Sequence, residues 1–75
     1  MDKVVIDYAL LIGRIKDKFK SNHRFAKAMG MDKSSLSAKL NNHRDFSGSE
    51  MLKACELLEI PIADMQRFFF QQKVA

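Results

Sequence analysis

Apolar residues recur along most of this chain at the three- and four-residue spacing of amphipathic helices. The first such segment begins at Asp7, a suitable N-cap, and continues to about Phe19. Its apolar stripe consists of Tyr8, Leu11, Ile12, Ile15 and Phe19. Mostly basic residues occupy the opposite face, so the pattern predicts a surface helix over residues 7–19 with one side buried.

A glycine separates two further helical segments. Ser21 is a suitable N-cap for a helix over residues 22–29, and Gly30 follows as a residue that readily adopts the left-handed conformation that ends helices. Asp32 is the N-cap of a third predicted helix over residues 33–40. Two helices joined by so short a turn are typical of a helix-turn-helix.

Two more helices are predicted in the second half of the chain. Ser47 and Glu50 form a Ser-x-x-Glu capping box, which predicts a fourth helix ending near Leu58. Its predicted buried face consists of Met51, Leu52, Cys55 and Leu58. Pro61 suits the first turn of a fifth helix over about residues 62–69, from which Ile62, Met65 and Phe69 would pack inward.

Three consecutive phenylalanines end the fifth predicted helix, and they cannot all face the same core. Phe68, Phe70, Gln72 and Val74 also alternate in the manner of an extended segment, which allows a short C-terminal strand. A contiguous aromatic patch is typical of a partner surface. We therefore predict a homodimer interface formed by Phe68, Phe70 and Val74.

Length and composition favour a small globular protein. The chain has 75 residues, of which 47% are hydrophobic and 29% charged, and so short a chain is marginally stable unless it dimerises. No apolar run approaches the roughly 18 residues that cross a bilayer, and no signal peptide is evident. We predict an all-α fold, a compact bundle of about five short helices in a single domain over residues 1–75. We expect the protein in the cytoplasm, and we expect no membrane as a partner.

Positive charge is concentrated in the half that contains the helix-turn-helix. The net charge is +4. Residues 1–46 contain ten basic and five acidic side chains, whereas residues 47–75 contain three and four. A basic excess on one part of a small domain is typical of a surface that binds a polyanion.

The chain contains no pattern typical of catalysis or of a metal site. His23, His43 and Cys55 lack the spacing of metal ligands, and there is no glycine-rich phosphate loop. We therefore expect neither enzyme activity nor a cofactor nor a bound metal. Cys55 lies among apolar helix positions, which favours a small buried thiol.

The helix-turn-helix segment resembles the DNA-binding domain of the lambda-type phage repressor and Cro family. The resemblance is carried by Ala26, Gly30, Met31, Leu36, Ser37, Leu40, Asn41 and Arg44. It extends from about Asp7 to Phe70, and the chain is similar to short single-domain regulators of phages and prophages of Gram-positive bacteria. One departure is Asn22, which stands where many members have a glutamine. An ordinary helical hairpin within a core is the alternative interpretation.

The resemblance implies two sets of DNA contacts. Base-reading residues would lie on the third helix, in the major groove: Lys33, Ser34, Ser37 and Ala38. Contacts with the sugar–phosphate backbone would come from Asn22, His23, Ser35, Lys39, Asn41, Asn42 and Arg44. The start of the second helix favours phosphate because its N–H groups are unpaired there.

The function that follows is a sequence-specific DNA-binding transcriptional regulator, of the phage Cro or repressor kind. A homodimer would bind double-stranded operator DNA, with half-sites about 34 Å apart. The alternative is an antirepressor, a protein-interaction module of the same fold that binds a partner phage repressor instead of DNA. In that hypothesis the Phe68–Phe70 patch is the contact.

Overall fold

Five α-helices make up most of the computed structural model, which describes residues 4–73. They are α1 (Ala9–Phe19), α2 (Asn22–Met29), α3 (Lys33–Leu40), α4 (Gly48–Leu58) and α5 (Met65–Phe69). A single 3₁₀ turn at Ile62–Asp64 leads directly into α5. The predicted all-α bundle is therefore confirmed for this part of the chain.

Local capping interactions place the helix ends close to their predicted positions. The hydroxyl of Ser21 accepts a hydrogen bond from the backbone N–H of Arg24 at 3.2 Å, which begins α2. Gly30 ends α2 with a φ of 75°, in the left-handed region that glycine adopts without a Cβ clash. At α4 the predicted capping box forms in both directions between Ser47 and Glu50.

The core lies where the apolar faces of the helices meet. Phe25 of α2 is fully buried, and its ring packs against the ring of Phe19 with centroids 5.3 Å apart. A second aromatic row joins Tyr8, Phe46 and Phe69 through edge-to-face contacts at 5.6 and 5.3 Å. Because α2 packs against α1, α3 and α4, the helix-turn-helix is held by the rest of the bundle along one side.

Two residues predicted to be buried are exposed. Leu52 is exposed because α4 turns the positions of Met51, Ala54, Cys55 and Leu58 toward the core, and residue 52 falls on the neighbouring face. Ile62 is exposed because the 3₁₀ turn, rather than an α-helical turn, carries it outward from the bundle.

The two ends of the described chain meet beside α5. Ile6 and Gln72 form an isolated antiparallel bridge. The backbone N–H of Asp7 donates to Gln71 at 2.6 Å, and that of Lys73 donates to Val5 at 2.9 Å. This bridge is the only β-pairing within residues 4–73, so the C-terminal strand that the sequence allowed is reduced to one pair.

Candidate functional site

The outer face of α3 carries the residues predicted to read bases. Leu36, which is fully buried, anchors the helix to the core. Lys33, Ser34 and Ser37 are therefore exposed on the opposite side, and Ala38 is half-buried. Ser35, predicted to contact the DNA backbone, is also half-buried. The structure thus brings these residues onto one surface, and most of their side chains are short.

Exposed cations lie on both helices of the helix-turn-helix and in the loop that follows it. They are Arg24 and Lys27 on α2, Lys33 on α3 and Arg44 in the loop that follows α3. His23 is also exposed, at the start of α2. Two exposed carboxylates are also present: Asp32 immediately before α3, and Asp45 in the loop between α3 and α4. The exposed charges of this segment are therefore mainly basic.

Lys39, predicted to contact phosphate, is instead buried. Only 7% of the residue is exposed. Its Nζ lies 3.2 Å from Oε1 of Glu50 and donates to the carbonyl of Asp45 at 3.1 Å, above the ring of Phe46. With its ammonium group held inside the protein, Lys39 does not extend toward a phosphate. The prediction overlooked that a long side chain at this position reaches the start of α4.

The carboxylate of Glu50 is held in its charged form by the same contacts. The backbone N–H of Ser47 donates to Glu50 and is the largest cause that lowers the pKa of Glu50 below its usual 4.5; Lys39 lowers it further. Partial burial acts in the opposite direction, and the net shift is downward. Lys39 and Glu50 therefore form an ion pair within the fold, between α3 and the start of α4.

The two asparagines after α3 are engaged in local and long-range hydrogen bonds. Asn41 donates from Nδ2 to the carbonyl of Ser37 at 2.8 Å. Asn42 forms a reciprocal pair with Ile6: its Oδ1 accepts from the Ile6 N–H at 2.8 Å, and its Nδ2 donates to the Ile6 carbonyl at 3.0 Å. Both amides are thus used to hold the chain itself. Asn22 is half-buried, and its Oδ1 has no hydrogen-bond partner among residues 4–73.

The predicted dimer surface is only partly exposed. Phe68 is buried, and the guanidinium of Arg14 lies over its ring, 5.7 Å from the centroid. Phe68 therefore belongs to the core, because α5 turns it and Phe69 inward together. Phe70, which follows the helix, is 49% exposed. Val74 lies outside the described residues.

An apolar groove runs beside Phe70, and we call it the terminal groove. It is lined by Val4, Ile6, Met65, Gln66, Phe70 and Gln72. Sequence reasoning identified Phe70 but missed Val4 and Met65. The signal for Val4 is the β-branched run Val4–Ile6, which favours extended structure, yet only the folded chain brings this run next to α5.

Within residues 4–73 no cluster of three or more His, Cys, Asp or Glu side chains could hold a metal ion. In the same part of the chain, none of the helices has the length and apolar character needed to span a bilayer.

Comparison with known proteins adds a family and a structural neighbour. Residues 4–72 match the model of a family described as protein of unknown function (DUF739). No curated protein sequence matches the chain. The fold is similar to the solution structure of the modulator of repression (MOR) of the temperate bacteriophage TP901-1 from Lactococcus lactis, with a TM-score of 0.79 and 37% identity. The match covers 93% of this chain and 95% of that one.

Proposed function

This chain belongs to the DUF739 family of proteins of unknown function, and from its likeness to the TP901-1 modulator we propose that it regulates a phage repressor by binding the repressor protein. In this proposal the chain is an antirepressor: it lowers the occupancy of operator DNA by the repressor. The observation that carries the proposal is the 37% identity to a phage modulator of repression across nearly the full length of both chains.

The outer face of α3 offers few side chains for base recognition. Base discrimination depends mainly on bidentate contacts from long side chains such as arginine, lysine, asparagine and glutamine. The exposed face of α3 offers one long side chain, Lys33, beside the short side chains of Ser34 and Ser37. Lys39 is occupied by its ion pair with Glu50. The groups available for reading an operator are therefore few.

The terminal groove is the surface that we assign to the repressor. Exposed apolar side chains that are contiguous on a small protein are typical of an interaction site. Val4 and Phe70 are both exposed, and they line the groove together with half-buried Met65 and two glutamines, Gln66 and Gln72. Aromatic residues and methionine are enriched in the centres of interfaces, and a polar rim usually surrounds them.

A gel-shift assay with labelled operator DNA and the repressor tests this function. The repressor encoded by the phage or prophage that carries this chain is mixed with its operator, and the chain is then added. We expect the repressor–operator band to weaken, the chain alone to leave the DNA unshifted, and affinity capture to recover a complex of chain and repressor. Failure to capture the repressor together with a direct shift of the operator by the chain would overturn the proposal.

The basic face around α3 supports a second candidate, direct binding to operator DNA. Arg24, Lys27, Lys33 and Arg44 are all exposed there, and cations that neutralise phosphates provide most of the non-specific affinity for DNA. The double variant Lys33→Glu with Ser34→Ala separates the candidates. A DNA-binding regulator loses operator retention in this variant, whereas an antirepressor that binds through the terminal groove keeps its effect on the repressor.

A further inference from the structure

The bridge at the chain ends leaves one backbone edge open. In the antiparallel pairing of Ile6 with Gln72, the two hydrogen bonds come from their sequence neighbours: Asp7 N–H to Gln71, and Lys73 N–H to Val5. The N–H and C=O of the bridged residues therefore point away from each other, to the two outer sides of the pair. Gln72 is exposed, and no hydrogen bond is formed by its own N–H or C=O within residues 4–73.

The opposite edge is closed by a side chain. The amide of Asn42 accepts from the Ile6 N–H and donates to the Ile6 carbonyl, as a neighbouring strand would. An extended segment therefore has no place on the Ile6 side. On the Gln72 side the donor and the acceptor have no partner among residues 4–73, and such an edge is a template for the addition of a strand.

One aromatic side chain lies beside the open edge, and most of the other side chains there are polar or basic. A groove beside it is lined by Ala63, Gln66, Arg67, Phe70, Gln71 and Gln72. Arg67 is exposed in this groove, and Lys73 is exposed immediately after Gln72. Among the described residues 4–73, no carboxylate lines this groove. A segment that lies here therefore meets a half-exposed phenyl ring and two cations.

We propose that Gln72 receives an extended acidic segment of the partner protein by strand addition. The segment pairs with the N–H and C=O of Gln72, places an apolar side chain on Phe70 and an acidic side chain near Arg67 and Lys73. Backbone pairing supplies affinity in this mode, and the alternating side chains supply specificity. This inference rests on the proposed function for the identity of the partner, and it specifies the contact within that function.

Charge argues for a foreign segment over a second copy of this chain. In a twofold antiparallel pairing of two copies about Gln72, Lys73 of one copy would lie opposite Gln71 of the other, and the two Lys73 side chains would be diagonal neighbours on the same face. Like charges this close across paired strands repel one another. An acidic segment removes this repulsion and adds attraction, so it is the occupant that the edge favours.

Selection from random peptides about eight residues long, displayed on yeast and captured by the intact chain, tests the inference. We expect enrichment of proline-free sequences that alternate apolar and acidic residues, and slower amide hydrogen exchange at Gln72 when a selected peptide is bound. Enrichment of basic or helix-forming peptides, or no enrichment at all, would overturn it. A shift to a dimer in sedimentation that removes peptide binding would overturn it in favour of a second copy.

Substitutions at Gln72 separate its backbone from its side chain. Gln72→Pro removes an N–H that the bridge does not use, and proline is tolerated at an edge whose N–H faces solvent. We expect it to keep the thermal unfolding midpoint and to weaken the selected peptide about tenfold. Gln72→Ala keeps the N–H and should retain the affinity. Equal affinity of both variants would refute strand addition.

Charge reversal and the repressor assay complete the test. Arg67→Glu with Lys73→Glu should weaken the binding of acidic peptides, whereas Lys27→Glu on α2, a residue that lines neither groove, should not. Equal effects would contradict the placement. If the repressor is captured and Gln72→Pro leaves that capture unchanged, the strand contact is wrong and the antirepressor function stands. If peptides bind through Gln72 but the repressor is not captured, the contact stands and the proposed partner is wrong.

Discussion

The side-chain amide of Asn42 and the backbone of Ile6 form two reciprocal hydrogen bonds, at 2.8 and 3.0 Å, across 36 positions of sequence. Asn42 lies in the loop after α3 and has a φ of 64°. Ile6 is in turn paired with Gln72. This asparagine therefore joins the helix-turn-helix to both ends of the described chain.

Replacement of Asn42 measures the contribution of this pair. Asn42→Ala leaves a partly buried N–H and C=O of Ile6 without partners and places an alanine at positive φ, so we expect the free energy of unfolding to fall by about 2–3 kcal/mol. Asn42→Gly loses the same hydrogen bonds but tolerates the positive φ, so its loss should be smaller by about 1 kcal/mol. Urea unfolding measures both. An alanine variant as stable as the parent protein would refute the assigned role.

Lys39 should behave as a residue of the core. Lys39→Ala removes the partner of a half-buried Glu50 carboxylate together with a buried alkyl chain, and we expect a loss of about 3 kcal/mol in the free energy of unfolding. Lys39→Met retains most of the alkyl packing and should lose only about half as much. Chemical denaturation distinguishes the two. Exposed Lys27 provides the control, since Lys27→Ala should change stability by less than about 0.5 kcal/mol.

Glu50 should make the protein sensitive to acid. Its pKa in the folded protein lies below the usual value of 4.5, mainly because the Ser47 N–H donates to it. The charged carboxylate therefore stabilises the fold above the unfolded pKa, and this stabilisation is lost as the pH falls through the lowered folded pKa. Urea midpoints measured from pH 7 down to about pH 3 should decline less steeply in Glu50→Gln than in the parent protein.

The matched control for this pH dependence is Glu59. Its pKa is also lowered, chiefly by a hydrogen bond from Lys18. Because its carboxylate is exposed to solvent, screening weakens the contribution of this pair to stability. Glu59→Gln should therefore leave the acid limb close to that of the parent protein. If Glu59→Gln changed the acid limb as much as Glu50→Gln does, partial burial would not explain the contribution of Glu50.

Adjacent phenylalanines should separate stability from partner binding. Phe68→Ala removes a buried ring beneath Arg14, and we expect it to cost about 3–5 kcal/mol. Phe70→Ser removes a half-exposed ring, so the free energy of unfolding should change by about 1 kcal/mol or less. We expect this variant to lose capture of the repressor. Thermal unfolding and affinity capture measure the two effects. Full repressor binding by Phe70→Ser would show that the terminal groove is not the contact.

The local features of the sequence were sufficient to predict most helix boundaries. Gly30 and the Ser47–Glu50 capping box act through bonds that span only a few residues, and both appear as predicted. The apolar stripe of α1 also defines its buried face, since Leu11 and Ile15 are fully buried. These signals are readable in a chain because the interacting groups are close in sequence.

What the sequence by itself determined is thus the set of helices, the turn after Met29 and the outward face of α3. The tertiary structure alone decided the roles of Lys39, Asn42 and Phe68. Their partners are Glu50, Ile6 and Arg14, which lie on other elements. Polar and aromatic side chains suit both a surface and an interior, so only the packing that supplies a partner settles whether such a residue faces a ligand or holds the fold.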